Sequence, residues 1–399
     1  MQPLFMQMCA SRARVFGVMD RRDSCDVLFQ NHLGGDVKKY LLLTLALIVL
    51  LAIAACAPAA QPTAVPATQA PPAPTQAPPQ PTAVPPTVAA PVATAVAQPT
   101  ATIPPPKCDK LDGMPTVKAG DLGSPEKPIV ITLVPSGDVP TITKAGNQVA
   151  ECLGKLTGLA FKTEVGTSFA ASIEAIGAGK AQAGFLNTFS AILAQEKYGV
   201  VPMLVALRTY KGKLENYYQG QIIANKASGV KTLADVKGKS FCFVDPNSTT
   251  GFIVPRIVLK ANGVDPDKDL KASQNAGSHD NVAIAVYKGD CDAGATFVDV
   301  RTDSNPIKAN YADILDKVDV IFVSDNVPND GLQVAKDLDP KLRDAMVTGL
   351  LFIGNDAGGK AMLRNLYSYR GLAKIDASFY ETFRKYLVAA GINPSDLVK

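Results

Sequence analysis

The chain from Lys107 onward predicts an α/β fold in two lobes, on three observations. Short β-rich runs alternate with stretches of helical periodicity from Pro128 on. Helical patterns follow nearly every run, which implies mostly parallel sheets covered by helices on both faces. The globular stretch of about 290 residues exceeds what one compact core usually spans.

The elements follow in order. Ile129-Val130-Ile131-Thr132-Leu133-Val134 reads as a buried strand stopped by Pro135-Ser136-Gly137. Ile142, Ala145, Val149, Leu153 and Leu156 then recur at helical spacing, and Gly158 ends the helix. Further strands are expected at Ala183–Leu186, Met203–Leu207, Gln221–Ala224, Phe241–Val244, Ala293–Phe297 and Val320–Val323. Near the C-terminus, Asp339-Pro340 supplies an N-cap and a first-turn proline. Phe379, Phe383, Tyr386 and Leu387 form an apolar stripe on a later helix, a core face rather than a cofactor site.

Composition excludes several functions. Lys+Arg 40 against Asp+Glu 36 gives a formal charge of +4, which makes no case for nucleic acid or a polyanionic partner. Residues 1–55 hold six basic and four acidic side chains, leaving 34 and 32 for the rest. His32 lies in that front section, so His279 is the one histidine after Cys56, and tryptophan is absent throughout. A multi-histidine metal site or active site is therefore excluded, and no cofactor is expected.

The front of the chain reads as an address. Lys38-Lys39 precede an apolar run from Tyr40 to Ala55, too short for a comfortable membrane span but suited to a signal peptide. The run ends in Ile53-Ala54-Ala55-Cys56, which resembles the bacterial lipoprotein signal. That resemblance implies signal residues 37–55, lipidation of Cys56 and anchoring to the extracytoplasmic face of the membrane. Residues 1–36 fit neither signal nor domain and are expected to be a leader from a misassigned start. Of the 30 prolines, 16 fall between Ala57 and Pro106, a stretch without any charged residue. Residues 56–106 thus read as the lipidated cysteine and a Pro/Ala/Thr-rich disordered tether.

In open α/β sheets, ligands sit beyond the C-terminal ends of strands. That rule points to Asp245-Pro246-Asn247-Ser248-Thr249-Thr250-Gly251-Phe252, directly after the strand Phe241–Val244. Ser248 alone could be an ordinary helix cap, but three successive hydroxyls followed by Gly251 exceed what capping needs. Together they offer O–H and N–H donors to a small oxyanion. The turn lacks the lysine and spacing of a nucleotide-binding loop. A second cluster, Gly277-Ser278-His279-Asp280-Asn281, stands at another helix start, where His279 either caps the helix or contacts the anion.

From about Lys127 to Asp337 the sequence resembles the phosphate/phosphite/phosphonate substrate-binding proteins of ABC transporters. The hydroxyl turn carries the likeness, with Val254-Pro255 behind it, Gly277-Ser278-His279-Asp280, Asp292-Ala293-Gly294-Ala295, Gly158-Leu159 and Leu233-Ala234-Asp235-Val236-Lys237-Gly238-Lys239. The resemblance implies a two-lobed type II periplasmic-binding-protein fold with a hinge, and capture of a phosphorus oxyanion by lobe closure. It implies delivery to the permease of an ABC importer. The lobes would be residues 107–219 plus 332–399, and residues 220–331, in a monomer. By the same resemblance Ser248, Thr249 and Thr250 match oxyanion donors, His279 a histidine ligand, and Tyr218 a hydroxyl-bearing aromatic. Phe169 stands where binders of aminoalkylphosphonates have a tyrosine. Asp299 and Asp330 match acids that face the ligand's amine, which favours a zwitterionic phosphonate; the alternative leaves both as loop aspartates in solvent.

Other functions remain as rivals: a sensory subunit for the same anion, or a hydrolase using His279 as base and Ser248 or Thr249 as nucleophile. No orienting partner for His279 is identifiable, and the hydroxyls look like donors, so a non-enzymatic role is expected. Four cysteines lie in the globular part, and an exported setting permits disulfides in three full pairings. Cys242 lies in a strand and Cys291 just before another of the same lobe, which favours Cys242–Cys291 and then Cys108–Cys152. No CxxC spacing supports zinc.

Overall fold

A computed structural model describes residues 103–210 and 212–397. The expected leader, signal, Cys56 and nearly all of the tether lie outside these residues. Among those described, no helix is long and apolar enough to cross a membrane.

The strand Ile129–Leu133 (β1) is buried on both faces but for one half-buried position. It leads into helix Val139–Thr157 (α1), capped by Asp138, whose carboxylate accepts from Thr141 N–H. Pro140 in the first turn fits the free N–H positions there, and Gly158 closes the helix in the left-handed region at φ 73°. The apolar stripe read from the sequence is the face α1 buries. Strand Phe161–Val165 (β2), helix Phe169–Gly177 (α2), strand Ala183–Leu186 (β3) and helix Thr188–Tyr198 (α3) follow. Then come Val201–Tyr210 (β4), Lys213–Glu215 (β5) and Tyr217–Asn225 (β6).

Ser240–Phe243 (β7), Val254–Ala261 (α4), Ala272–Asn275 (β8), His279–Lys288 (α5) and Ala293–Phe297 (β9) form the next run. Short helices Val300–Asp303 (α6), Asn305–Asn310 (α7) and Ile314–Lys317 (α8) precede the long strand Val318–Pro328 (β10). The chain ends through Gly331–Val334 (β11), Pro340–Asn355 (α9), Ala357–Tyr367 (α10), Gly371–Lys374 (β12) and Glu381–Ala389 (α11).

Two sheets result. One has the order β12-β4-β11-β3-β1-β2 with β5 on β4, and the other β10-β6-β9-β7-β8. They are mixed, which corrects the expectation of mostly parallel sheets. Pairs β1–β2, β1–β3, β7–β8 and β7–β9 are parallel. The pairs made by β4, β6, β10, β11 and β12 are antiparallel. The antiparallel half of each sheet holds the strands that carry the chain across: β4 into β6 through the β5 hairpin, and β10 back into β11. Simple strand–helix alternation does not anticipate a chain that leaves a sheet and returns.

All seven expected strands are present, and β10 runs well beyond Val320–Val323. In the C-terminal stripe, Phe383 and Leu387 are buried, but Phe379 precedes α11 and Tyr386 is exposed on it. Asp339 caps α9 as expected, accepting from Lys341 N–H at 2.8 Å. The return crossover runs tight against β4: a Cβ at Gly331 would stand 2.2 Å from the Leu204 carbonyl oxygen. Glycine there lets the backbone close in and sets Asn329 and Asp330 where the two sheets meet. The structure joins Cys108 to Cys152 and Cys242 to Cys291.

Candidate ligand-binding site

After β7 the chain makes one π-turn, Thr249–Ile253, before α4 begins. The N–H groups of Phe252 and Ile253 both donate to Ser248 C=O, at 3.1 Å each. Such single π-turns recur at functional sites because they re-aim side chains. Gly251 permits the turn to press on the strand end, since a Cβ there would meet Val244 Cγ2 at 2.3 Å. Ser248, Thr249 and Thr250 are each 1% exposed.

The three hydroxyls do different work. Ser248 Oγ accepts from Gly251 N–H at 3.2 Å and faces His279 Nε2 at 3.5 Å. Thr249 Oγ1 accepts from Phe189 N–H at 2.9 Å and from Asn187 Nδ2 at 2.8 Å. It thereby caps α3 from the opposite sheet, where Asn187 makes no side-chain cap of its own. With both lone pairs engaged, its hydrogen is directed outward as a donor. Thr250 does not line the cavity; it sits against Gly220 of β6, beside the Tyr218 phenol.

His279 opens α5 with its ring buried. Phe297 N–H donates to Nδ1 at 3.2 Å, and Thr296 Oγ1 lies 3.1 Å from the same nitrogen. An accepting Nδ1 places the proton of the neutral ring on Nε2, which points toward Ser248 and the cavity. Burial, with a smaller push from Arg208, lowers the His279 pKa to about 3. The ring is therefore a neutral N–H donor at physiological pH. Its orienting partner is the β9 backbone, which no sequence spacing could reveal.

Arg208, at the C-terminal end of β4, is the main residue that sequence reasoning missed. Its Nε donates to Asn329 Oδ1 at 3.1 Å, and its Nη2 stands 3.4 Å from Asp330 Oδ2. Tyr369 Oη donates to the same carboxylate oxygen at 3.3 Å. Asp330 Oδ1 is buried with no hydrogen-bond partner. Burial raises the Asp330 pKa against the opposing pull of Arg208. The reading of Asp330 as a solvent-exposed loop aspartate is thus corrected: its side chain is 14% exposed and paired. A signal for Arg208 existed, because it is a cation directly past an expected strand's C-terminal end.

Tyr218 and Phe169 line the same cavity as Ser248, Thr249, His279 and Arg208. Burial raises the Tyr218 phenol pKa, so it stays a proton donor. Phe169 is fully buried and offers an apolar wall. Asp299 does not share this cavity; it holds a left-handed backbone at φ 71° and lines an adjoining depression with Arg208 and Arg370. Burial, with Asp303 nearby, raises its pKa. The other wall is Ser136-Gly137-Asp138, the loop after β1. Ser136 C=O accepts from His279 N–H at 3.0 Å, and Asp138 N–H donates to Asp280 Oδ2 at 3.0 Å. The cavity holds about 80 Å³, the scale of a small anion rather than a nucleotide. Among the described residues, no group of three or more His, Cys, Asp or Glu is placed to hold a metal ion.

Residues 131–380 match the profile of a family described as ABC transporter, phosphonate, periplasmic substrate-binding protein. The chain belongs to that family. It is thus a substrate-binding component of an ABC transporter, extracytoplasmic and not an enzyme, with a small ligand and permease and ATPase partners. The phosphate-import protein PhnD of Mycolicibacterium smegmatis is 29% identical over 220 residues, 53% of this chain and 68% of that protein. A phosphonates-binding periplasmic protein of Escherichia coli is 29% identical over 153 residues, 37% of this chain and 44% of that protein. Two solved structures share the fold. A binding-protein component of an ABC phosphonate transporter from Pseudomonas aeruginosa gives a TM-score of 0.60 at 20% identity, covering 66% of this chain and 86% of that one. PhnD1 from Prochlorococcus marinus, in complex with methylphosphonate, gives 0.58 at 16% identity, covering 66% and 98%. The two sheets of this substrate-binding protein accordingly form the two lobes of the type II fold.

Proposed function

We propose that this substrate-binding protein captures a phosphonate, or a related phosphorus oxyanion such as phosphite or phosphate, between its lobes for an ABC importer. The observation that carries the reading is the fixed Nε2–H of His279, 3.5 Å from Ser248 Oγ at the cavity. Around it stand the Thr249 hydroxyl, the Tyr218 phenol and the Arg208 guanidinium, all donors. Such a set suits an anion whose oxygens point in several directions, and water exclusion on closure strengthens each charge-assisted bond.

In this reading Ser248, Thr249, His279, Tyr218 and Arg208 hold the oxyanion, and Phe169 walls it. Thr250 supports the Tyr218 side. Asp330 acts inside the cavity beside Arg208, and Asp299 acts in the adjoining depression. Residues 107–219 plus 332–399 form one lobe and 220–331 the other, in a monomer. Signal residues 37–55 are removed, Cys56 is lipidated, and residues 57–106 tether the receptor to the membrane. Calorimetry of the purified chain against methylphosphonate, phosphite and phosphate tests the ligand. A ligand at 100 times its Kd also adds about 2.7 kcal/mol of stability, so a melting screen reads the same event. Absence of binding by all three would overturn the ligand reading. Fatty-acid labelling that persists in Cys56→Ser would overturn the anchor.

A further inference from the structure

The acids matched to a ligand amine have a neighbour that the family resemblance does not foresee. Arg208 places its guanidinium carbon 5.3 Å from the Tyr218 ring centre, 5.5 Å from Phe297 and 5.2 Å from Tyr369. Three aromatic faces around one cation make a cage of the kind that recognises ammonium groups. Here the cation is the protein's own. It is also pinned, by Asn329 Oδ1 at 3.1 Å and Asp330 Oδ2 at 3.4 Å, with side-chain exposure of only 15%. Arg208 and Asp330 both line the cavity that holds Ser248, Thr249 and His279.

We propose that Arg208 fills the amine-accepting place of this site from within the chain, so that the receptor selects phosphonates lacking an amino substituent. This inference rests on the phosphonate reading above. A ligand ammonium would stand beside a fixed like charge, with Asp330 Oδ2 and the three ring faces already engaged by Arg208. An oxyanion gains from the same arrangement, because Arg208 turns a positive group toward it while Asp330 holds the guanidinium in place. Asp330 Oδ1, buried without a partner, can accept one hydrogen bond from a P–OH of the singly protonated ligand. That contact adds no positive charge next to Arg208. A small cavity of about 80 Å³ agrees with a short substituent.

The test compares methylphosphonate with 2-aminoethylphosphonate by calorimetry on the purified wild-type chain and Arg208→Gln. Wild type should bind methylphosphonate more tightly, by about tenfold or more. Arg208→Gln should weaken methylphosphonate by a similar factor and bring the ratio of the two affinities toward or below one. Wild type binding 2-aminoethylphosphonate as tightly as methylphosphonate would overturn the inference alone. So would an unchanged ratio in a variant whose melting curve shows it folded. If the variant does not fold, the wild-type ratio still decides. Binding of neither ligand by wild type would overturn the phosphonate reading, and this inference with it.

Discussion

The backbone N–H of Phe297 donates to His279 Nδ1 at 3.2 Å, and this one bond decides what the only histidine of the globular chain can do. With Nδ1 accepting, Nε2 must carry the proton, and the ring meets the cavity as a donor. A base that could activate a hydroxyl would need the opposite arrangement. The same bond that equips His279 to hold an anion therefore makes it unsuited to deprotonate Ser248.

Replacing His279 by alanine should weaken oxyanion binding by roughly 10- to 100-fold, the worth of one hydrogen bond to a charged group. The domain should remain folded, because the imidazole is one of many side chains in that wall. Calorimetry with circular dichroism checks both halves. Nitrogen chemical shifts of the wild-type ring at neutral pH should report the proton on Nε2. A proton found on Nδ1 would remove the donor argument.

The buried ring also predicts a pH dependence of stability. Its pKa is lowered to about 3 in the fold, against about 6.5 in the unfolded chain. Between those values the unfolded state binds a proton that the native state does not, so stability falls as pH drops from about 6.5. The slope from this group approaches about 1.4 kcal/mol per pH unit within the window. Asp330 and Asp280 act oppositely: burial raises their pKa values, so their contribution favours the native state as pH falls through the carboxylate range. Comparing wild type with His279→Gln isolates the histidine. The variant should lose less melting temperature between pH 7 and pH 5; equal losses would show that the ring is not held neutral.

Thr249 links the lobes through α3, so its loss should register in stability as well as affinity. Thr249→Val leaves the Phe189 N–H without its acceptor and the Asn187 amide with Asn247 C=O alone, a cost of about 1–3 kcal/mol. Gly251→Ala should cost a similar about 1–3 kcal/mol by driving a methyl into Val244, and it should also move Ser248 away from His279. Both variants are expected to melt earlier and bind more weakly. A Gly251→Ala protein with wild-type affinity would show that the π-turn does not position Ser248.

Much of this was legible in the residues, and the remainder was illegible for identifiable reasons. Strands buried in the sheets, such as Ile129–Leu133 and Phe241–Phe243, announce themselves as apolar runs. Strand β8, Ala272-Ser273-Gln274-Asn275, is exposed at every position and lies at a sheet edge, so it carries no hydrophobic signal. Strand β2 alternates between half-buried and exposed positions, with charges on its outer face. Hydroxyls after a strand and a histidine at a helix start are local patterns, and both fall where the sheet rule points. The Arg208–Asp330 pair joins residues 122 apart through the crossover, and only the folded chain brings them together. The different fates of Thr249 and Thr250 depend on which way a π-turn faces, which adjacency in sequence does not encode.

The two disulfides close segments of 44 and 49 residues, Cys108–Cys152 and Cys242–Cys291. Loops of that length imply about 4 kcal/mol each from the reduced entropy of the unfolded chain. Non-reducing peptide mapping should find both linkages, and reduction should lower the melting temperature. Cys242 and Cys291 are almost fully buried, so their linkage should resist mild reductant longer than that of Cys108, which is only partly buried. Four free thiols in the exported protein would overturn the assignment.

Asp280 joins the loop after β1 to the start of α5 across the cavity. Its carboxylate accepts Asp138 N–H at 3.0 Å, directly beside the bond from His279 N–H to Ser136 C=O. These two contacts tie the β1 loop, one wall of the cavity, to the start of α5, so their loss should act on release more than on capture. Asp280→Ala should raise the ligand off-rate with little change in on-rate, whereas Asp280→Asn, whose amide oxygen can still accept, should fall between. Stopped-flow displacement separates the rates. Small-angle scattering of ligand-free Asp280→Ala should show a larger radius of gyration than wild type if the contact favours closure in the free protein. A variant with unchanged off-rate would reduce Asp280 to a helix-start residue with no part in retention.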